Sequence, residues 1–331
     1  MPQSLDFKRR PRRRRPVLAG VVTGVALVLL GLAALAPVLP SEAALQGVGR
    51  IFDSVVPQLL AVVLALAVLV ILLGQRVLAL AVILAVLAVG GVTGARHVAR
   101  SDPLVTDAGA RTIRVLWFNV LGDNPRPPEE MVRAVNASGA DVVVLAEASH
   151  VETQLAGFER AYPYQLGCRK PCNLLVLSRL PLDAASLRNL SFVSRERYAQ
   201  IPLDFGARSL TLVAAHMLKP WYDEWAVLEE NVLIRALDRI DGPVLVVGDF
   251  NSAPWSLRMR RIADATGARF VRLPPATWPV EAGRFGVPID NALTRDGVRL
   301  AGIERWGGDL GSNHAGLMLT VVLPPGPPAD G

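Results

Sequence analysis

The chain has 331 residues, room for two ordinary domains, and its apolar residues crowd the front: residues 17–95 hold three long apolar stretches, whereas residues 101–331 mix apolar runs with charge, Pro and Gly as soluble domains do. The net charge of +6 resides in residues 1–16, where seven Lys and Arg side chains stand against Asp6, and residues 101–331 are slightly acidic at −2. Net charge is therefore no argument for nucleic-acid binding, which needs a clustered basic face, although a local basic groove stays open.

The basic segment, residues 1–16, reads as a cytoplasmic tail that fixes topology or touches anionic lipid. From Val17 to Leu39 the chain is apolar apart from Thr23, long enough to cross a hydrocarbon core about 30 Å thick. A basic start before an apolar run also fits a secretory signal peptide. Two further runs, residues 55–73 and 77–95, are joined only by Gly74, Gln75 and Arg76 and read as a tight helical hairpin, because a loop lying in lipid leaves backbone groups unpartnered. Residues 17–100 are thus expected to form an anchor of three transmembrane helices. With the basic tail held in the cytoplasm, three crossings deliver residues 101–331 to the outer side of the cell membrane. Arg76 in the inner turn agrees with this, while Arg96 and Arg100 argue mildly the other way.

Short β-rich runs follow at Ile113 to Phe118, Val142 to Leu145, Leu174 to Leu177, Leu210 to Ala215, Val244 to Val247 and Met318 to Leu323. Helix-like stretches lie between several of them, at Glu129 to Ala137, Glu224 to Ile240 and Leu257 to Ala265, so the class is α/β. The only cysteines, Cys168 and Cys172, suit a local bridge in an oxidising compartment; two free thiols are the alternative, and a lone CxxxC is poor ground for zinc. Residues Pro324 to Pro328 read as a flexible end.

Polar residues fall where these strands stop. Asn119, Glu147, His216 and the run Asp249-Phe250-Asn251 each follow an apolar strand; Asp290 begins another piece, and Ser312-Asn313-His314 precedes the last strand. Singly, each has a bland role: Asn119 or Asn251 in a turn, Asp249 as a helix cap, Glu147 opening a loop, the histidines satisfied in the core or at the surface. Their order and spacing together carry the weight.

That ordered set resembles the endonuclease/exonuclease/phosphatase superfamily over about residues 111–323, most specifically in Gly248-Asp249-Phe250-Asn251 with Ser252-Ala253-Pro254 after it. The resemblance implies a DNase I-like, two-sheet, four-layer α/β sandwich with the site at one end of the sheets. It implies a metal-dependent phosphoric ester hydrolase in which Glu147 binds Mg²⁺ or Mn²⁺, with Asn119 as ligand or phosphate contact and Asn313 as a further candidate ligand. Asp249 and Asn251 would position the attacking water, Asp249 as candidate base. Asp290 would fix the tautomer of His314, and His216 would donate to the phosphate or assist the leaving group. Two positions depart from the family pattern. Asn313 stands where relatives have Asp, which removes a charge from the metal site, and Asn291 stands where many have His or another larger residue.

The layout is similar to membrane-anchored bacterial relatives associated with glycopeptide resistance and with removal of phosphate from undecaprenyl pyrophosphate. A lipid-linked phosphate or pyrophosphate is accordingly the expected substrate, and the segment Lys219 to Trp225 offers Trp and Tyr rings either to the lipid interface or to the interior. The alternatives are an extracytoplasmic nuclease or other phosphodiesterase and, from a different class, a non-catalytic membrane scaffold, which Asn313 alone favours.

Overall fold

The computed structural model describes residues 14–39, 46–106, 109–168, 170, 172–206 and 208–323. The basic tail over residues 1–13 and the Pro-rich end lie outside the described residues. Four helices come first: α1 (Arg14–Leu35), α2 (Gln46–Ser54), α3 (Val56–Leu72) and α4 (Arg76–Val98). Two stretches, Pro16–Val38 and Arg76–Val98, are long and apolar enough to cross a membrane; α3, at 17 residues, is shorter. Small and branched residues let the three long helices pack: Ala26 and Ala33 of α1, Val63 and Ala67 of α3, Val82 and Val86 of α4. Their outer faces expose Val28, Leu72, Val77 and Leu87, an apolar surface that a water-facing helix would avoid.

Next come β1 (Ser101–Asp102), β2 (Thr112–Asn119), α5 (Pro128–Ala137), β3 (Val142–Ala146), β4 (Tyr164–Gly167), β5 (Leu174–Ser178), β6 (Ser186–Arg188) and β7 (Tyr198–Asp204). They are followed by β8 (Ser209–His216), α6 (Asp223–Leu237), β9 (Val244–Asp249), α7 (Leu257–Thr266), β10 (Arg269–Val271), β11 (Asp290–Arg295), β12 (Arg299–Trp306) and β13 (Gly316–Val322). One sheet runs β1-β10-β11-β9-β8-β7-β6 and the other β12-β13-β2-β3-β5-β4. The sheets face each other across a core that includes Val115, Trp117, Val144, Leu212, Val247 and Leu319. The opposite faces are covered separately, one by α5 with Phe158 and Tyr162, the other by α6 and α7 with Leu233 and Met259. Central strands buried on both faces read as continuous apolar runs, which is why the sequence announces them.

The strands absent from the sequence reading are mostly edges: β1, β4, β6 and β12 end their sheets, and β7, next to an edge, contains Pro202. The helix α6 stops at Leu237, short of the expected Ile240. A disulfide joins Cys168 to Cys172.

The sequence reading also missed α2, and α2 docks on the catalytic unit. Asp53 Oδ2 accepts from Leu257 N at 2.8 Å, so a side chain of α2 caps the first turn of α7 beside its own Ser256 cap. Ser54 Oγ accepts from Ala253 N (3.2 Å), and the Ser54 carbonyl accepts from Trp255 Nε1 (3.0 Å). Arg260 donates to the Pro37 carbonyl after α1, Gln58 in the first turn of α3 donates to the Gly286 carbonyl, and Arg100 after α4 pairs with Asp264. The end of α1, the start of α3 and the end of α4 therefore meet the same body, and the Gly74 turn lies at the other end of the bundle.

Candidate active site

Strand alternation puts every second side chain on one face. In β2, Val115 and Trp117 point between the sheets, and Asn119 continues that series. The same parity carries His216 beyond Leu212 and Ala214 in β8, Asp249 beyond Leu245 and Val247 in β9, and sets Asp290 two residues ahead of Ala292 in β11. Register then aligns them: His216 lies opposite Asp249, Asp249 opposite Asp290, and Asn119 opposite Ala146, the residue before Glu147. The site is the open end of the intersheet core, where apolar side chains give way to polar ones.

Asn119 links the two halves. Its Oδ1 accepts from Leu121 N (3.1 Å), while Nδ2 donates to Glu147 Oε1 and Asp249 Oδ2, both at 3.2 Å. Asn119 thus braces both carboxylates through its amide, and its Oδ1 keeps a second lone pair. Glu147, in a left-handed conformation at φ 50°, also accepts from Gly122 N at 3.2 Å. Asp249 Oδ1 accepts from Asn251 N (2.8 Å), and Asn251, likewise left-handed at φ 49°, is pinned by its Nδ2 donating to the Met217 carbonyl (2.9 Å).

Asp290 is held on both oxygens, by Trp117 Nε1 at 2.9 Å and His314 Nδ1 at 2.8 Å. Ser312 Oγ donates to the Asn119 carbonyl (2.7 Å) and accepts from His314 N (3.0 Å), tying the last loop to the end of β2. Nε2 of His216 lies 3.7 Å from both Glu147 and Asp249, and Nε2 of His314 lies 3.9 Å from Asp249. Asn119, His216, Asp249, Asp290 and His314 are buried, Glu147 and Asn251 half-buried, and Asn313 exposed at the rim. Every residue singled out from the sequence thus reaches this end of the sandwich. Trp117 and Thr277, whose Oγ1 accepts from Asp290 N at 3.1 Å, were missed, since nothing local distinguishes them from core residues. Asn291 faces away and is a structural pin, its amide donating to the Ser252 and Pro288 carbonyls.

Electrostatics separate the two histidines. Burial, aided by the charges of Arg197, His314 and Lys219, lowers His216 well below the usual imidazole value and keeps it neutral. Burial alone would lower His314 too, but the Asp290 and Asp249 carboxylates outweigh it and carry it up to about 9. Burial and the nearby Asp290 charge push Asp249 up to about 7.

Two cavities flank this cluster, with Glu147, His216, Lys219 and Asn251 between them. The larger, about 770 Å³, is open and polar, with Lys170, Arg197 and Asn173 in its lining. The smaller, about 250 Å³, is lined by Trp221, Trp278 and Ile289 together with Ile51 and Val55 from the N-terminal helices. Two elements clamp the Leu218 turn that carries Lys219: Glu229 accepts from Leu218 N (2.7 Å), and Arg258 donates to the Leu218 carbonyl (2.9 Å).

The Endonuclease/Exonuclease/phosphatase family profile matches residues 116–314. No curated protein matches the sequence. A functionally unknown conserved protein from Enterococcus faecalis superposes with TM-score 0.50 at 13% identity, over 64% of this chain and all 100% of the other. A family protein from Leptotrichia buccalis gives 0.50 at 12% identity over 63% and 99% of the two chains, and sphingomyelinase C from Streptomyces griseocarneus 0.47 at 17% over 63% and 99%. The chain belongs to the endonuclease/exonuclease/phosphatase family, whose members are divalent-metal-dependent phosphoric ester hydrolases.

The residues present fit such a cation. Asp249, Asp290 and His314 bring potential ligand atoms within 4.8 Å of one another. Each oxygen of Asp290 and of Glu147 accepts one hydrogen bond, but Asp290 is buried whereas Glu147 is half-buried and lines both cavities, which makes it the carboxylate most open to a hard cation.

Proposed function

We propose that this protein is a membrane-anchored, Mg²⁺-dependent phosphoesterase, with Mn²⁺ as substitute, that hydrolyses a lipid-linked phosphate or pyrophosphate such as undecaprenyl pyrophosphate outside the cytoplasm. The observation that carries the reading is where the catalytic cluster opens: into a cavity at the end of the apolar bundle, lined in part by residues of the N-terminal helices. Exposed rings stand at the same mouth and beside it, Trp221 and Tyr222 each 51% exposed and Phe285 72%. In this reading α1, α3 and α4 all cross the membrane, and the Arg-rich N-terminus stays inside. The same layout motivates a link to glycopeptide resistance.

Glu147 would hold the cation, with the exposed Asn313 near enough to the rim to add a neutral ligand. When bound there, the cation would supply Lewis acidity to the phosphoryl oxygens and offset charge on the leaving group. Asp249, oriented by Asn251 N–H and Asn119, takes a proton from the attacking water. His314, kept protonated and aligned by Asp290, donates from Nε2 to a phosphoryl oxygen. Neutral His216 donates a second hydrogen bond, while the Asn119 amide holds Glu147 and Asp249 in place around the phosphate.

The test is phosphate release by the full-length protein in detergent from undecaprenyl pyrophosphate and, separately, cleavage of DNA, each with Mg²⁺ or EDTA and with Asp249→Ala as control. Mg²⁺-dependent release from the lipid, lost in the variant, is expected. Cut DNA beside untouched lipid would overturn the reading in favour of a nuclease or other phosphodiesterase, which the cations Lys170 and Arg197 in the polar cavity favour.

A further inference from the structure

The smaller cavity is not a feature of the catalytic unit alone. Ile51 and Ser54 of α2 and Val55 at the elbow into α3 line it together with Trp221, Trp278 and Ile289 from the catalytic loops. His216, Asp249 and His314 line the same space, so it reaches the reacting groups. Val55 also packs with Ala253, Val287 and Ile289, and Asp53 and Ser54 hydrogen-bond to the turn that leads into α7. These contacts fix the elbow against the site. Ile51 is different: it is 38% exposed, on a helix held by other residues, and it lines the cavity.

We propose that the α2 to α3 elbow is a substrate subsite, in which Ile51 and Val55 bind the first carbons of a hydrocarbon chain esterified to the scissile phosphate. The proposal rests on the lipid-phosphate reading and adds that the anchor itself selects the substrate. At about 250 Å³ the space is smaller than a site for a whole drug-sized ligand, so it holds the chain next to the phosphate and leaves the rest to run along the bundle. Trp221 and Trp278 add broad apolar rings to the same lining. A headgroup or leaving group on the far side of the phosphate falls in the larger polar cavity.

The test uses full-length protein in lipid nanodiscs and a series of soluble p-nitrophenyl alkyl phosphates from ethyl to octyl, with the natural substrate left out. In the wild type kcat/KM rises with each methylene that enters the subsite, by up to about fourfold per fully buried group. The octyl-to-ethyl ratio falls at least about tenfold in Ile51→Asp and is kept in Ile51→Leu. Trp278→Ala lowers the same ratio. A wild type indifferent to chain length, or a ratio unchanged in Ile51→Asp, overturns the subsite. Because the readout is a ratio within each variant, a general loss of folding does not imitate it. Chain-length selection without hydrolysis of undecaprenyl pyrophosphate would retain the subsite and reject that substrate, whereas lipid hydrolysis without chain-length selection would do the reverse.

Discussion

Gly248 gives the sharpest test of how the site is built. It lies in β9 directly before Asp249, opposite Ala215 of β8 and Asn291 of β11. A Cβ at this position would sit 2.1 Å from the Ala215 carbonyl oxygen and 3.0 Å from its carbon, and real Cβ atoms do not approach below 3.0 Å. The obstacle is backbone, so no rotamer relieves it, and Gly248→Ala must part β8 and β9 by roughly 0.9 Å at that point. Overpacking of this kind costs about 1–3 kcal/mol, and one or two weakened ladder hydrogen bonds add about 1 kcal/mol each. The sum, about 2–5 kcal/mol, corresponds to a thermal midpoint lowered by roughly 4–20 °C for a domain of this size. The same displacement moves Asp249 against His216, and a misplacement near 1 Å costs about a hundredfold in rate. Thermal unfolding followed by circular dichroism, with phosphate release on the same samples, measures both. A midpoint within about 2 °C of wild type together with undiminished activity would refute the close β8 to β9 approach on which the site geometry depends.

Three other expectations are independent of that one. Activity rises with pH as Asp249 loses its proton near about 7 and falls as His314 loses its own near about 9, since the working pair is a charged carboxylate beside an imidazolium. Asp290→Asn removes the charge that holds His314 up and so moves the alkaline limb of the kcat/KM profile to lower pH; an unmoved limb would remove His314 from the assignment. Glu147→Gln raises the Mg²⁺ concentration for half-maximal rate by at least about tenfold, measured by titration after EDTA treatment, and an unchanged requirement would place the cation elsewhere. Asp53→Ala strips the anchor's cap from α7 and costs about 1–2 kcal/mol, read as a lower thermal midpoint and faster proteolysis between the anchor and the catalytic unit.

By itself the sequence determined the central strands, the long apolar helices and the residues of the site. Runs such as Val142 to Ala146 are buried on both faces and so carry an unbroken apolar signal, and the polar residue that ends each run marks where the core opens. Asn119, Glu147, His216, Asp249 and His314 stood out because polar residues end apolar strands in an order that resembles the family pattern, and the structure gathers them at one end of the sandwich. Tertiary structure decided what has no local signal. The edge strands β1, β4 and β6 are short, and β12, though eight residues long, is mostly polar or half-exposed; Trp117 became a partner of Asp290 only when β2 met β11 across the core, and the orientation of the Asn119 amide followed from Leu121 N–H. The short helix α2 is the clearest case. Its charges and mixed polarity read as a connector between apolar runs, and only contacts some two hundred residues away, from Asp53 to Leu257 and from Ser54 to Ala253, turn it into a wall of the active-site cavity.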